Sequence, residues 1–351
     1  MKSNRLFLIV GVSVLALAGC TSTKKKGGGG GGGGEDSSSV PVSKDDPDGY
    51  AGYSARYKNK KDCFGEDVAD YHLYDSYGMD LVENVHNYCI DQHKTWLGYV
   101  HSPSNYGQYF AETDKDPSTG KVLQFYTAYQ GSSGTSREHV WCCANSADLW
   151  YRQSQSYEHK IDQNYTYWGG GSDIYNLHAC TSSVNTARSN AKYIVFPESE
   201  RAELTSYGDN GPYKLLVNPA GNKCEPAKEY RGNIARIVMY MWCHYREIGG
   251  ARNAYYPSNY SSRKPVYTLS EAVSGSGHSP YICGVSLSLS NIIGYSTDAE
   301  IYAALKQWNA DDPVDANEQY ANNYIESKLQ GNRNPFVDYP QLVDNVLDWL
   351  Q

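Results

Sequence analysis

The sequence predicts a mixed α+β fold. Residues 230–246 carry apolar side chains at the i, i+3, i+4 and i+7 spacing of an amphipathic helix. The same spacing recurs near residues 79–96 and 299–308, whereas residues 122–126 (VLQFY) are rich in side chains that favour strands. A chain that combines these two kinds of segment is typical of the α+β class.

The first 20 residues have the pattern of an export signal. Lys2 and Arg5 precede an apolar run over residues 6–18, which is too short to span a bilayer. The run ends in LAGC at residues 17–20, which resembles the bacterial lipoprotein cleavage box. The resemblance implies cleavage before Cys20, acylation of Cys20 and a lipid anchor in the bacterial cell membrane or in the outer membrane at the cell surface. The alternative is an ordinary secretory signal with a chance cysteine.

Residues 21–47 have the composition of a flexible tether. Lysines, a run of glycines and three serines offer little apolar surface to bury, and glycine maximises backbone freedom. From about residue 48 the composition becomes globular, and residues 48–351 are long enough to bury a full core. We therefore expect a signal peptide (1–20), a tether (21–47) and one folded domain (48–351).

Within the predicted domain the remaining segments alternate between turns, loops and helices. A turn-rich segment at 113–121 precedes the strand-like residues 122–126. We interpret residues 144–171 as loop and short helix, and residues 251–290 as loops with short strands. A further helix is expected at 315–329, and it should end where Gly331 and Pro335 interrupt the pattern.

The cysteine count predicts disulfide bonds. Apart from Cys20, eight cysteines remain, and an even number in an exported chain is typical of a disulfide framework with up to four bridges. Cys142 and Cys143 are adjacent and are expected to bond to different partners, because a bridge between neighbours is strained.

The charge balance gives a mixed indication about partners. The net charge of −8 argues against a nucleic-acid partner, because phosphate contacts need lysine and arginine. A local basic groove can nevertheless coexist with an acidic remainder. The 33 tyrosines suit an extracellular surface that contacts polar polymers, although tyrosine is also ordinary core material.

Two segments carry side chains suited to metal-assisted phosphodiester hydrolysis. Residues 136–141 read SREHVW, and residues 172–190 contain SDIYNL followed by VNTARSN. Histidine suits activation of water because its pKa lies near neutrality, which makes His139 the candidate general base. Carboxylate and carboxamide oxygens suit a hard divalent cation, which makes Glu138 and Asn185 the candidate ligands. As neighbours in an extended segment, Glu138 and His139 should point to opposite sides.

By spacing alone the Glu138–His139 pair favours a surface pair or a hydrogen-bonded core histidine over a catalytic site. Longer strings carry a resemblance. SREHVW resembles the first signature of the bacterial endonuclease I family, and SDIYNL with SSVNTARSN resembles its second. EYRGNIARIVMYM at 229–241 is similar to the scaffold helix of that family, and residues 308–340 are similar to its C-terminal block. The resemblance covers roughly residues 80–345, and its motifs follow the order of the family.

The resemblance implies a fold, an activity and a metal. It implies a ββα-metal (His-Me) finger embedded in a mostly helical body. It implies that His139 is the general base and that Glu138 and Asn185 bind one magnesium ion, with Ca²⁺ or Mn²⁺ as possible substitutes. It also implies an enzyme that cleaves DNA, and often RNA, with little sequence preference. No protein partner is implied.

Further arginines are candidates for contact with substrate. Arg188 belongs to the second signature, and its guanidinium suits a scissile phosphate, which gives it a catalytic or substrate-binding role. An ion pair between Arg188 and Asp173 is the alternative. Arg137 is a second substrate-binding candidate, and Arg333 is a weaker one. Asn332 and Asn334 are expected to cap and brace the end of a helix.

The sequence departs from the family pattern at several positions. Ser136 stands where the family usually has asparagine, Cys142–Cys143 replaces Pro-Lys, and Ala321 stands where arginine is usual. None of these changes removes a proposed ligand. Disulfides near both signatures would make activity sensitive to reduction.

Two other functions are compatible with the sequence. One is a nucleic-acid-binding or adhesive surface lipoprotein that has lost catalysis, which the acidic charge and the tyrosines favour. The other is a structural zinc module that draws its ligands from His139, Cys142, Cys143, His178 and Cys180. These five residues lack the paired C-x₂-C spacing that is typical of such sites.

Overall fold

The structure is a computed structural model, and part of the chain is described. The described residues are 44–62, 65–94, 99–100, 107–131, 135–145, 150–152, 166–208, 210–218, 220, 222–246, 254–255, 281–282 and 287–350. The predicted signal, with Cys20, and the tether up to residue 43 lie outside them. Within the described residues, no helix is both long enough and apolar enough to cross a membrane.

The described residues form a mixed fold of helices and small sheets, which confirms the predicted α+β class. The helices are α1 Tyr53–Tyr57, α2 Gly78–Gln92, α3 Gly107–Thr113, α4 Ser182–Arg188, α5 Arg231–Tyr245, α6 Asp298–Asp311, α7 Ala316–Tyr324, α8 Pro335–Asp338 and α9 Leu342–Leu347. The strands are β1 Lys58–Lys61, β2 Asp67–Asp70, β3 Tyr99–Val100, β4 Thr135–His139, β5 Trp150–Arg152, β6 Thr166–Gly169, β7 Leu177–Thr181, β8 Lys192–Tyr193, β9 Thr205–Tyr207, β10 Leu215–Asn218, β11 Lys223–Glu225, β12 Ala254–Tyr255 and β13 Tyr281–Ile282.

The strands pair into short sheets, several of which join strands that are distant in sequence. Within the described chain the sheet orders are β1-β2, β8-β11-β10-β9, β3-β6-β5, β4-β7 and β12-β13. All pairs are antiparallel except β8 with β11. Strands β5 and β6 lie where the sequence predicted loop and short helix, and β12 and β13 agree with the short strands expected between residues 251 and 290.

Helix α5 is the centre of the core, and it packs against α2, α6 and α8. The prediction of a helix over 230–246 is confirmed, but α5 is buried on nearly every side rather than on one face. Its one internal cation, Arg236, is satisfied by a two-pronged contact with Glu318 at 2.8 and 2.6 Å. Gly232 permits the close approach of the chain after α6, because a Cβ there would lie 2.0 Å from the carbonyl oxygen of Asp312.

Local sequence signals fix the starts of α6 and α7. Thr297 and Glu300 form a capping box at α6, and Asp315 and Glu318 form another at α7. Helix α7 continues as a π-helical turn over Ile325–Leu329, so the predicted helix at 315–329 is confirmed in extent. The chain then reverses at Gly331, which has a φ of +93°.

Residues 122–126 do not form the predicted strand. They make only isolated bridges, between Lys115 and Val122 and between Gln124 and Tyr129, and Tyr126 adopts a positive φ of 72°. A tertiary contact replaces the strand pairing, since the Phe125 amide donates to the carbonyl oxygen of Ala179 in β7 at 2.7 Å. The segment is therefore a tight turn that is held against β7.

The predicted framework of four disulfides is wrong for the described part of the chain. Five of the eight cysteines are free and buried, namely Cys89, Cys142, Cys180, Cys224 and Cys243. Their burial in an apolar core lets them behave as small hydrophobic side chains. The side chains of Cys63, Cys143 and Cys283 lie outside the described part.

Candidate active site

The two sequence signatures meet in one antiparallel strand pair. Strand β4 pairs with β7, with Glu138 opposite His178 and His139 opposite Leu177. Helix α4 follows β7 directly and packs against β4. This strand–strand–helix arrangement places Asn185 of α4 beside the strand that carries Glu138 and His139.

Hydrogen bonds to β4 orient the carboxamide of Asn185. Its Nδ2 donates to Ser136 Oγ at 2.6 Å and to the carbonyl oxygen of Arg137 at 3.0 Å. Both donor positions of the amide are thereby used, and Oδ1 makes no hydrogen bond to any described residue. Asn185 Oδ1 is therefore available as an oxygen ligand.

Glu138 is buried, and one of its oxygens is held by two donors. Its Oε1 accepts a hydrogen bond from the Tyr126 hydroxyl at 2.7 Å and lies 3.4 Å from Nη1 of Arg188. Burial raises the pKa of Glu138, while the charge of Arg188, the Tyr126 hydrogen bond and the nearby His178 oppose this rise. Within the described residues Oε2 accepts no hydrogen bond, so the carboxylate has one fixed and one available oxygen.

The backbone fixes the protonation pattern of His139. Its Nε2 lies 2.9 Å from the carbonyl oxygen of Gly171. Because a carbonyl can only accept, Nε2 carries the proton, and the lone pair of the neutral ring is on Nδ1. Burial lowers the pKa of His139 to about 3, while the bond to Gly171 opposes this shift. The ring is thus neutral at ordinary pH, and burial makes it a weaker base than a free imidazole.

The three predicted residues line one cleft. Glu138, His139 and Asn185 border a cavity of about 430 Å³, together with Arg137, Cys142 and Arg188. The three residues are therefore neighbours around one cavity that an extended substrate could enter. Glu138 and His139 have different hydrogen-bond partners, Tyr126 and the carbonyl of Gly171.

Arg188 is buried beneath this cleft and is only 1% exposed. Its guanidinium donates to the carbonyl oxygens of His139 and Val140 at 3.1 and 2.6 Å, and it lies over the ring of Tyr193. Its ion pair is with Glu138 and not with Asp173. Through these contacts Arg188 supports the end of β4 from beneath the cleft.

Asp173 instead accepts four hydrogen bonds inside the core. Its Oδ1 accepts from the Tyr175 amide and Gln330, and its Oδ2 accepts from the hydroxyls of Tyr240 and Tyr245. Burial alone would raise the pKa of Asp173, but the hydrogen bond and charge of His244, the charge of His93 and the Tyr245 hydroxyl hold it well below its usual range.

His93, Asp173 and His244 form one group that could hold a metal ion. Their potential ligand atoms all lie within 4.8 Å of one another, and all three residues are buried. The four hydrogen bonds to Asp173 already satisfy the lone pairs of its carboxylate, which favours a structural polar cluster.

The proposed zinc module does not appear in the described chain, because His178 pairs with Asp114 and the Cys180 thiol donates to the Phe125 carbonyl.

The residues after α7 have structural partners. Arg333 pairs with Asp338 and Glu326, and Asn334 caps α8 by accepting from the Phe336 amide. Asn332 donates to the Tyr240 hydroxyl. Asn334 therefore caps the start of α8 and not the end of the preceding helix, Asn332 braces the segment against α5, and Arg333 belongs to the same structural cluster.

A second cavity lies beside the same strand pair and is acidic. It has a volume of about 530 Å³ and is lined by His178, by aromatic residues including Phe125, and by six carboxylate side chains, those of Asp114, Asp116, Glu229, Asp312, Asp315 and Glu318. Two of these carboxylates are paired, Asp114 with His178 and Glu318 with Arg236, and the other four still make the lining acidic. An acidic lining disfavours phosphate groups, so a nucleic acid is not the ligand that this cavity favours.

Three contributors to the site were missed from sequence. Tyr126 and Tyr193 lie behind Glu138, and the carbonyl of Gly171 orients His139. Tyrosines are frequent throughout the chain, so nothing in the local sequence distinguishes these two. The three consecutive glycines at 169–171 were a signal of close backbone approach that could have pointed to Gly171.

Comparison with known proteins decides the family. The sequence profile of the family described as Endonuclease I matches residues 81–264 and 290–341. The chain belongs to the endonuclease I family. Among its curated relatives is an extracellular ribonuclease of Bacillus amyloliquefaciens, which is 28% identical over 263 residues, covering 70% of this chain and 69% of the relative. An extracellular ribonuclease of Bacillus subtilis (strain 168) is 27% identical over 248 residues, covering 67% and 65%.

Proposed function

We propose that this endonuclease I family member is an exported, metal-dependent endonuclease that hydrolyses phosphodiester bonds of DNA and RNA with little sequence preference. The observation that carries the proposal is the meeting of Glu138, His139 and Asn185 in one cleft. Export and action on RNA are supported by the names of the two relatives, which are extracellular ribonucleases. We interpret β4, β7 and α4 as the ββα-metal finger that the sequence predicted.

The available oxygens fit a hard divalent cation such as Mg²⁺. Glu138 Oε2 and Asn185 Oδ1 are the two oxygens of these side chains that other described residues leave unused. Carboxylate and carboxamide oxygens with water are the usual ligands of such ions. A magnesium-type ion held there would stabilise negative charge at the phosphoryl and leaving oxygens.

The remaining chemistry belongs to side chains of this protein. His139 Nδ1 would take a proton from the attacking water, while Nε2 stays bonded to Gly171 and prevents the ring from turning. A bound phosphate would raise the pKa of His139 from its low value, because an anion favours the imidazolium. Arg137, at the rim of the cleft, would contact a neighbouring phosphate.

Arg188 is retained in this proposal as a residue of the catalytic site, but with a different task. Because its side chain is 1% exposed and holds Glu138 and the carbonyls of His139 and Val140, it would position the metal ligand rather than bind substrate. The lipid anchor at Cys20 remains a proposal from sequence. Replacement of Cys20 by serine should release the protein from membranes, which fractionation would measure.

The test is cleavage of supercoiled plasmid and of a long RNA by the full chain in mild detergent. We expect cleavage with Mg²⁺, none with EDTA, and a loss of at least about 100-fold in His139→Ala. His72→Ala, which changes an exposed histidine, is the matched control and should cleave normally. Full activity of His139→Ala would contradict the assignment of His139 as the general base. A well-folded wild type without any cleavage would favour the binding lipoprotein.

A further inference from the structure

We propose that Tyr126 is a positioning residue for the metal ligand, and that its hydroxyl fixes Glu138 Oε1 so that Oε2 faces the cleft. The inference rests on the proposed function, since it concerns how the same site holds its cation. It adds a residue that lies outside both sequence signatures and in a segment that the sequence did not connect with the site.

The hydrogen-bond chain behind Glu138 has a defined direction. The Tyr126 hydroxyl has one proton, and a carboxylate can only accept, so Tyr126 donates to Glu138 Oε1 at 2.7 Å. Tyr193 lies 2.5 Å from the same hydroxyl and 3.1 Å from the carbonyl oxygen of Val140. Because the Tyr126 proton goes to Glu138, the contact between the two hydroxyls is a hydrogen bond only when Tyr193 donates its single proton to the Tyr126 oxygen. In that arrangement the Val140 carbonyl keeps Nη2 of Arg188 as its donor, at 2.6 Å.

The backbone at Tyr126 is held in an uncommon conformation. A φ of 72° is rare for a bulky residue, and Tyr126 is fully buried. The turn is fastened on both sides of Tyr126, by the Phe125 amide to Ala179 and by the Ala128 amide to the Tyr230 hydroxyl. Strained backbone of this kind persists where the surroundings over-determine it, and here the result is a phenol aimed at Glu138.

The two donors to Glu138 come from different elements. Arg188 reaches Oε1 from α4 at 3.4 Å, which is an ion-pair contact, whereas Tyr126 makes the shorter and directional contact. Other titratable groups near Glu138 are His178, directly opposite it in β7, and the buried Tyr193 and Cys224. Without the Tyr126 hydroxyl, rotation of the carboxylate about its last bond would be opposed only by the longer contact.

Tyr126→Phe tests the inference, because it removes the hydroxyl and keeps the ring. The measurement is the dissociation constant of Mn²⁺, from the electron paramagnetic resonance signal of free Mn²⁺, without any substrate. We expect affinity to fall roughly 10- to 100-fold, the usual effect of losing a group that orients a metal ligand. The metal concentration for half-maximal cleavage should rise similarly, while kcat at saturating Mn²⁺ changes much less.

Tyr57→Phe is the matched control. Tyr57 is also fully buried, and its hydroxyl donates to the carboxylate of Asp338 at 2.5 Å. This variant should lose thermal stability and keep the Mn²⁺ affinity of wild type. Weakened binding in both variants would show a general effect of lost stability and would overturn the positioning role.

The outcomes separate the inference from the proposed function. If the wild type does not bind Mn²⁺, the metal-dependent function itself fails. If the wild type binds and Tyr126→Phe binds equally well, only the positioning role is overturned. Should Tyr126→Phe fail to fold, Tyr193→Phe provides the second variant. A loss of affinity of severalfold would support the inference, and an unchanged affinity would overturn it.

Discussion

Asn185 uses the two ends of one carboxamide for two different purposes. Its Nδ2 ties α4 to β4 through Ser136 and Arg137, and its Oδ1 is the proposed metal ligand. The sequence predicted the ligand role through family resemblance. It could not predict the tie, because Ser136 stands where the family usually has asparagine and the contact depends on the strand register.

Asn185→Asp should separate these two purposes. The substitution keeps an oxygen at the ligand position and removes both donors, so Ser136 Oγ and the Arg137 carbonyl lose their partner. We expect the free energy of unfolding in metal-free buffer to fall by roughly 1–3 kcal/mol, measured by urea denaturation. Asn190→Asp, which adds the same charge in the same cleft, should stay within about 0.5 kcal/mol of wild type. Equal losses would implicate charge instead.

The two arginines of the cleft should differ in how they affect nucleic-acid binding. Arg137 is partly exposed and is proposed to contact a phosphate, whereas Arg188 is buried. In a His139→Ala background with EDTA, Arg137→Gln should lower the slope of log affinity against log salt by about 0.7–0.9. Arg188→Lys should lower the unfolding temperature and leave that slope unchanged. Fluorescence anisotropy at several salt concentrations measures both. A lower slope in Arg188→Lys would restore it as a phosphate ligand.

Among the elements, those with local signals were predictable and those made by distant contacts were not. Helices α5 and α6 carry apolar periodicity, and Thr297 with Glu300 marks the start of α6, so their positions follow from short-range sequence. The turn at Tyr126 depends on Ala179, which lies in β7, and its strand-like composition was misleading. The same limit applies to the site. Glu138, His139 and Asn185 were predicted from family motifs as candidates, while the groups that contact them required the fold.

The Asp173 cluster shows how one buried carboxylate can join several elements. It links the start of the second signature to the end of α5 through Tyr240 and Tyr245, and to the segment after α7 through Gln330. A buried carboxylate with four donors is ionised and fully satisfied, so removing its charge leaves those donors without an adequate partner.

Asp173→Asn should destabilise the fold in a pH-dependent manner. A carboxyl group whose pKa is depressed in the folded state contributes stability above its unfolded-state pKa of about 3.9, and this contribution is lost as pH falls below that value. At pH 7 the variant should lose roughly 2–3 kcal/mol in urea denaturation, and its stability should fall less steeply than that of wild type in acid. Asp67→Asn, at an exposed position, is the control. Parallel pH curves for Asp173→Asn and wild type would contradict this assignment.

At the scale of the whole molecule, the described residues are stabilised by a large core, and five of their cysteines take no part in a disulfide framework. The core cluster extends from Tyr50 to Leu347 and includes four of the free cysteines. The sequence could not reveal this, because an even number of cysteines in an exported chain has the same appearance whether the thiols are bonded or buried.

Counting thiols tests this interpretation directly. Alkylation of the denatured, unreduced protein should modify at least five cysteines, because five are free in the fold. Mass spectrometry of the intact protein gives the number, and peptide mapping should place modified thiols at Cys89, Cys142, Cys180, Cys224 and Cys243. Fewer than five modified cysteines would return the disulfide framework to consideration. Thermal unfolding with and without reductant gives an independent measure.

The acidic cavity beside the cleft has a consequence for selectivity under the proposed function. His178 lines that cavity and lies opposite Glu138, so a surface that repels phosphate adjoins the strand pair that would cut it. A polyanion is therefore excluded from one side of the strand pair and admitted on the other. Such an enzyme can lack a preference for base sequence and still constrain the path that the sugar–phosphate backbone takes across its surface.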